Sequence, residues 1–353
     1  MPVSAPDPYR HILRPLLFRL PPEPAQRVAE VFLRRRWLWR AVAPALRVLD
    51  PKLNVDWCGL GLQNPVGLAA GLDKDCRMLP SLSCWGFGYL VAGTVTEVPR
   101  PGNPRPRIFR YAGQQSLINA LGFPGMGLVQ AAGQLDRARP ALRGTPVAVS
   151  ISGTAVEEIV RCHRRLEPLV DAVELNISSP NTGGLRLFHE PATLSGLIGH
   201  INANRTKPLM VKLPPYAEPS ASEPSSEGAR ARVLSLVRVC VENGVEGLTV
   251  ANSRPTNDAR LAVGMGGLSG RALFPDTVRM VKEVRDEAGS RPTINACGGI
   301  SSGEDAWEAL QAGADTLQLY TGLVYQGPSL VRRINRRLLD IMEREGIESL
   351  RST

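Results

Sequence analysis

Ala172-Val173-Glu174-Leu175-Asn176-Ile177-Ser178-Ser179-Pro180-Asn181-Thr182 changes character half-way along. The first half is an apolar run interrupted only by Glu174, and it reads as a strand buried on both faces. The second half brings two asparagines, two serines and a proline to the point where that strand ends. Amides in such a cluster suit a flat ligand with several amide and carbonyl groups, and a serine beside them can take a proton that the ligand makes acidic. A hydrogen-bonded turn uses the same residue types. The rest of the chain has to decide between the two.

Seven further apolar runs accompany this one, at 65–70, 89–96, 147–151, 209–213, 247–251, 293–297 and 316–320. Helical patterns lie between them. Strands alternating with helices imply right-handed βαβ units and a parallel sheet covered on both faces. Eight units over about 260 residues predict an α/β fold, a (β/α)8 TIM barrel. A doubly wound open sheet is the competitor, but no G-x-G-x-x-G follows the first run. Several runs end in polar or glycine-rich clusters: Gly71-Leu72-Asp73-Lys74, Ser178-Ser179-Pro180-Asn181, Asn252-Ser253, Gly298-Gly299 and Thr321-Gly322. In barrels the carboxyl ends of the strands carry the chemistry, so these clusters mark an active face.

Two connections are long. Residues 97–123 are rich in Pro, Arg and Gly and are placed to cover the barrel mouth. Residues 216–228 form a Ser/Pro/Glu tract without apolar period, read as a mobile loop.

The first 50 residues form a separate N-terminal helical segment, with the barrel spanning 51–353. Pro21-Pro22-Glu23 starts a helix whose Ala25, Val28, Ala29, Phe32 and Leu33 share a face. Arg34-Arg35-Arg36-Trp37-Leu38-Trp39-Arg40 follows. Basic amphipathic helices bearing Trp lie comfortably in a headgroup layer. Packing on the barrel accounts for the apolar face alone and explains the arginines and tryptophans less well.

The whole chain of 353 residues is 43% hydrophobic and 21% charged, enough to bury a large core. Its formal net charge is +9, and residues 1–50 hold nine arginines against four acids. More than half the excess therefore sits in one seventh of the chain, which fits an anionic membrane surface at least as well as nucleic acid. Six scattered cysteines with no C-x-x-C pair, and four dispersed histidines, argue against a metal site or a disulfide framework. No signal peptide and no apolar run of spanning length is visible.

Glycine pairs at Gly298-Gly299 and the Tyr320-Thr321-Gly322 turn offer backbone N–H groups to a phosphate, with Gly266 to Gly270 as another close-approach backbone. Lys212 ends the fifth run. Turned inward, its cation can stabilise a reduced flavin anion.

Taken together, Ala69 to Lys74, Gly102 to Arg107, Ile118-Asn119 with Gly122-Phe123, Asn176 to Arg186, Gly266 to Gly270 and Gln318 to Thr321 resemble the dihydroorotate dehydrogenases, specifically the membrane-associated, quinone-using class 2 enzymes. The resemblance spans about residues 9–340. It implies FMN as cofactor, oxidation of dihydroorotate to orotate in pyrimidine biosynthesis, and ubiquinone or menaquinone as acceptor. It also implies peripheral attachment to the cytoplasmic side of the inner membrane, and no nucleic-acid partner.

By this resemblance Ser179 is the catalytic base, where class 1 enzymes carry cysteine. Lys74, Asn119, Ala120, Leu121, Gly122, Phe123, Asn176, Asn181, Asn252 and Ser253 surround the substrate. Ala70, Gly71, Thr94, Ser150, Asn176, Lys212, Ala251, Ser269, Gly270, Gly298, Gly299, Tyr320 and Thr321 contact the flavin, and Arg110 faces the quinone. The chain departs from the family pattern at Ser150 and Pro124, where asparagine is usual, and at Ala251, where threonine is usual. The lysine that normally follows the third strand is also missing. These changes touch the flavin shell more than the substrate ring.

Two other enzymes fit parts of the pattern: an FMN barrel paralogue acting on another dihydro-heterocycle, and a dihydrouridine-synthase-like tRNA reductase. A substrate panel separates the first, and salt-dependent tRNA binding the second. A non-catalytic membrane module on the same fold is a third reading, opposed by the intact serine and asparagines.

Overall fold

The computed structural model describes residues 7–142, 144–178, 185–216 and 226–350. Eight parallel strands close into a barrel: β1 Val66–Leu68, β2 Tyr89–Val95, β3 Val147–Ile151, β4 Ala172–Asn176, β5 Leu209–Lys212, β6 Gly247–Val250, β7 Thr293–Cys297 and β8 Thr316–Leu319. They neighbour one another in chain order, and β8 returns to β1 in parallel register, Leu317 opposite Val66. Nearly every strand residue is buried, because one face packs into the barrel and the other lies under the helix layer. All eight predicted runs are the barrel strands, so the expected fold class is the observed one.

The helix layer comprises α3 Gly127–Ala138, α4 Val156–Leu166, α5 Pro191–Asn202, α6 Ser226–Glu242, α7 Phe274–Ala288, α8 Gly303–Gln311 and α9 Leu330–Glu345. These follow α1 Pro22–Leu33 and α2 Arg36–Leu46 of the N-terminal segment. Between β1 and β2 the chain uses only the short helix Leu79–Leu82 and the turn Ser83–Trp85.

The amino end of the barrel is plugged by a hairpin, Val55–Trp57 paired with Leu60–Leu62. Trp57 is wholly buried, stacks on Tyr89 at 4.2 Å between centroids, and donates its indole N–H to Asn295 Oδ1 at 2.9 Å. Above it the interior is polar. Thr316 donates to Asn295 Oδ1 at 2.6 Å, and Thr249 to Glu174 Oε2 at 2.8 Å.

At the carboxyl end stands a feature that the sequence pattern did not reveal. Ile108–Tyr111, Ser116–Asn119, Met265–Gly270 and Arg254–Asn257 form an antiparallel four-stranded sheet. The long insertion after β2 thus pairs with the stretch after β6, and Gly266 to Gly270 is a strand rather than a loop. A Cβ on Gly266 would meet the Asn119 carbonyl oxygen at 2.6 Å, so the pairing needs glycine there.

The N-terminal segment is tied across the mouth. Tyr9 Oη donates to Val324 O at 2.7 Å, and Arg14 to Tyr325 O at 2.9 Å. Glu23 pairs with Arg107 at 2.9 Å and Arg105 at 3.0 Å. Asp7 binds Arg333 at 2.8 Å and accepts from Ser329. On α1, Ala25 and Leu33 are buried, whereas Val28 and Phe32 of the same predicted face remain exposed. Among the described residues no helix is long and apolar enough to cross a membrane. Residues 217–225 of the Ser/Pro/Glu tract lie outside the described residues.

Candidate active site

One cavity of about 1270 Å³ opens between the strand ends and the N-terminal helices. The β1 end contributes Ala70, Gly71 and Lys74, β2 contributes Thr94, and β4 contributes Asn176. Lys212 follows from β5, Ala251, Asn252 and Ser253 from the end of β6, Gly298 and Gly299 from β7, and Tyr320 and Thr321 from β8. The four-stranded sheet adds Asn119, Ser269, Gly270 and Arg110, with Leu121, Gly122 and Phe123 beyond it.

Ala120 does not line the cavity. It is buried against Ile118 and Leu261 under the sheet. Ser150 does not line it either: it is wholly buried, its Oγ 3.1 Å from Thr94 Oγ1, so it reaches the cavity only through Thr94. Pro124 also stands clear of the lining. Ser179 and Asn181 lie outside the described residues.

The polar end is cross-braced. Asn176 donates through Nδ2 to Thr94 Oγ1 at 2.9 Å and accepts through Oδ1 from the Ser178 hydroxyl at 3.0 Å. Asn252 Nδ2 donates to Ser178 Oγ at 2.9 Å, and Asn252 Oδ1 accepts from the Ser253 N–H at 2.7 Å. Ser178 is buried and joins the two asparagines. Sequence reasoning passed over it in favour of its neighbour, although its two-residue spacing from Asn176 was the available signal. Asn119 holds its place on the sheet through Gly267 O at 3.4 Å.

Two lysines face this ring. Lys74 donates to Gly71 O at 2.6 Å. Burial pushes its pKa down to about 8, against the pull of Glu30 and Asp75. Its loop is held by the buried Asp73 carboxylate, which accepts from the N–H groups of Arg77 at 2.8 Å and Met78 at 2.7 Å. Lys212 is buried, with Nζ 3.7 Å from Cys297 Sγ. Burial opposes its charge, but the Cys297 sulfur and the Glu174 carboxylate outweigh that, and its pKa is raised. It remains an ammonium.

The residues present fit a phosphorylated flavin. Gly298 and Gly299 have φ of +151° and +75°, and their N–H groups make no backbone hydrogen bond among the described residues. A Cβ on Gly299 would strike the Phe274 nitrogen at 2.5 Å, where α7 begins, so only glycine brings this backbone in. Seven lysines and arginines line the cavity among the described residues, against one acid, Asp7. Such a cavity favours anions.

The other end is apolar, walled by Leu13, Leu17, Phe18, Ala25, Ala29, Phe32 and Leu33 of the N-terminal segment and by Leu72, Trp85 and Leu323 of the barrel. Arg110 marks the junction. It lies over the Phe18 ring at 4.5 Å and donates to Leu20 O at 2.7 Å. Among the described residues no group of His, Cys, Asp or Glu is placed to hold a metal ion.

Residues 52–342 match the family model described as dihydroorotate dehydrogenase. A Chloroflexus aurantiacus protein named dihydroorotate dehydrogenase (quinone) is 38% identical over 361 residues, covering 94% of this chain and 96% of that one. A Thermus thermophilus protein of the same name is 37% identical over 347 residues, covering 95% and 97%. The crystal structure of the Eimeria tenella DHODH in complex with ferulenol superposes with a TM-score of 0.80 at 28% identity, covering 94% of each chain. With a barrel, a cavity and relatives of this kind, the chain is an oxidoreductase that belongs to the dihydroorotate dehydrogenase family, in its quinone-dependent branch.

Proposed function

We propose that the protein oxidises (S)-dihydroorotate to orotate on a bound FMN and delivers the electrons to a membrane quinone, as a step of pyrimidine biosynthesis. The observation that carries this reading is a single cavity with two chemistries. One end holds Asn119, Asn176, Asn252, Ser253 and Lys74, and the other is an apolar passage under α1. A polar substrate and a lipid-soluble acceptor can reach one redox centre from opposite ends.

The flavin, when bound, supplies a hydride acceptor that can also release electrons to a quinone. Gly298, Gly299, Tyr320 and Thr321 would hold its phosphate. Lys212 would place a cation where negative charge gathers on reduction. Lys74 would hold the substrate carboxylate, and the asparagine amides would pair with its ring amides. Ser179 would take the proton from C5 of the substrate. A serine hydroxyl is a weak base at its ordinary pKa, so this step needs a relay or high pH. Membrane attachment is supported by exposure: among the described residues, ten of the sixteen exposed large apolar side chains fall between Ile12 and Leu49, among the arginines. Such a surface suits the headgroup layer of the inner membrane's cytoplasmic face.

The test is an anaerobic spectral titration of purified, FMN-loaded protein. Dihydroorotate should bleach the flavin band and a quinone should restore it. Protein that takes up no FMN, or whose flavin ignores dihydroorotate but is bleached by another dihydro-heterocycle, would overturn the reading.

A further inference from the structure

α2 borders a second cavity, of about 560 Å³, that shares no lining residue with the first. Arg36, Arg40 and Arg47 line it, together with Ala43, Pro44, Leu49, Cys84 and Ala141. Arg36 and Arg40 stand about 40° apart on one face of α2, and Arg47 follows directly on its carboxyl end, in extended backbone. No carboxylate lines the cavity among the described residues. Arg36 donates to Ala141 O at 3.3 Å and Arg47 to Ser83 O at 3.0 Å, which leaves most of their N–H donors uncommitted. Arg40 has no hydrogen-bond or ion-pair partner among the described residues. Like charges at i, i+4 weaken a helix, so Arg36 and Arg40 oppose the element that carries them, and among the described residues no carboxylate pairs with any of the three arginines.

The rest of the lining is apolar, and Leu49 in it is 70% exposed. Trp37, next along α2, is 72% exposed. Free inorganic phosphate would use the arginines and leave these apolar groups without a role. A phosphodiester joined to acyl chains uses both.

We propose that this cavity is a headgroup site for an anionic phospholipid, with the phosphodiester held by Arg36, Arg40 and Arg47 and the acyl chains lying along Leu49 and Trp37. The proposal rests on the membrane reading above and goes beyond it, since general adhesion needs only scattered charge and apolar surface. A specific headgroup contact on α2 would also fix how the helix pair, and the passage beneath it, is oriented on the bilayer.

The test uses the full chain loaded with FMN, and flotation with vesicles of phosphatidylcholine alone or mixed with phosphatidylglycerol. The unaltered protein should bind the mixed vesicles more tightly. The double variant Arg36→Gln/Arg40→Gln should lose about tenfold or more of that gain, with binding to neutral vesicles, flavin content and thermal midpoint unchanged. Removing the same charge from the exposed segment outside the cavity, as Arg19→Gln/Arg27→Gln, should cost at most about threefold. Equal losses in the two double variants would mean diffuse attraction and would overturn the site. Release of the unaltered protein from mixed vesicles by millimolar inorganic phosphate, at constant ionic strength, would overturn it in favour of a free-anion site. Absence of any phosphatidylglycerol gain, with binding to neutral vesicles retained, would overturn the site and leave the membrane reading standing. No binding to either vesicle would overturn both.

Discussion

At the scale of single residues, Lys74 sets a pH limit on the site. Burial disfavours its charged form, so the ammonium is present below about pH 8 and is lost above it. If it holds the substrate carboxylate, orotate affinity should be level up to about pH 7 and fall toward tenfold per unit above pH 8. Lys74→Met should flatten that profile, as read by spectral titration of the bound flavin. The two neighbouring serines should separate chemistry from binding. Ser179→Ala should slow flavin reduction by two or more orders of magnitude, the scale of general-base loss, while Ser179→Cys keeps measurable activity. Ser178→Ala removes the hydroxyl between Asn176 and Asn252. It should weaken orotate binding by about tenfold, because it frees buried amides from their geometry, and leave the proton-transfer step far less affected. Matching stopped-flow losses in both variants would remove that division of labour.

At the scale of elements, α1 is a wall of the cavity as well as a surface helix. Ala29 lines the apolar passage and Phe32 sits one turn on, with Arg110 and Phe18 stacked nearby. Ala29→Trp should fill the passage. Flavin reduction by dihydroorotate should stay within about twofold, while reoxidation by long-chain quinone drops at least tenfold, since transport and not chemistry is blocked. A variant that reoxidises normally with long-chain quinone would show that the acceptor reaches the flavin elsewhere. The four-stranded sheet, whose edge strand touches α1, has a comparable part to play in the cavity wall. Register with Gly267 puts Asn119 at the cavity, and Arg110 is carried on the edge strand.

For the whole molecule, the barrel and the N-terminal segment divide the work. The barrel closes on itself through β8 and β1 with no strand from the helix pair, which adds Leu33, Ala43 and Leu46 to the edge of its core. Deleting residues 1–47 should therefore leave near-normal flavin reduction by dihydroorotate, with loss of both long-chain quinone turnover and vesicle binding. Retention of quinone turnover and vesicle binding would sink the membrane-access reading. A water-soluble quinone should still reoxidise the truncated protein, which distinguishes a missing passage from a damaged barrel.

What the sequence determined by itself was whatever depends on neighbours along the chain. Each barrel strand is an apolar run between helical patterns, and the polar clusters at the strand ends follow from the same local alternation, so the fold and the strand-end part of the cavity lining were legible. Tertiary structure decided the rest, because it depends on partners far apart in sequence. The strands Ile108–Tyr111, Ser116–Asn119, Arg254–Asn257 and Met265–Gly270 are short, half-exposed or glycine-rich, and they exist through pairing with one another. Only that pairing showed Gly266 to Gly270 to be extended. Packing alone turned Ser150 toward Thr94, buried Ala120 under the sheet and set Ser178 between two asparagines. Val28 and Phe32, two of the five residues on the predicted apolar face of α1, stayed exposed, because periodicity states which residues share a face but not what will cover it.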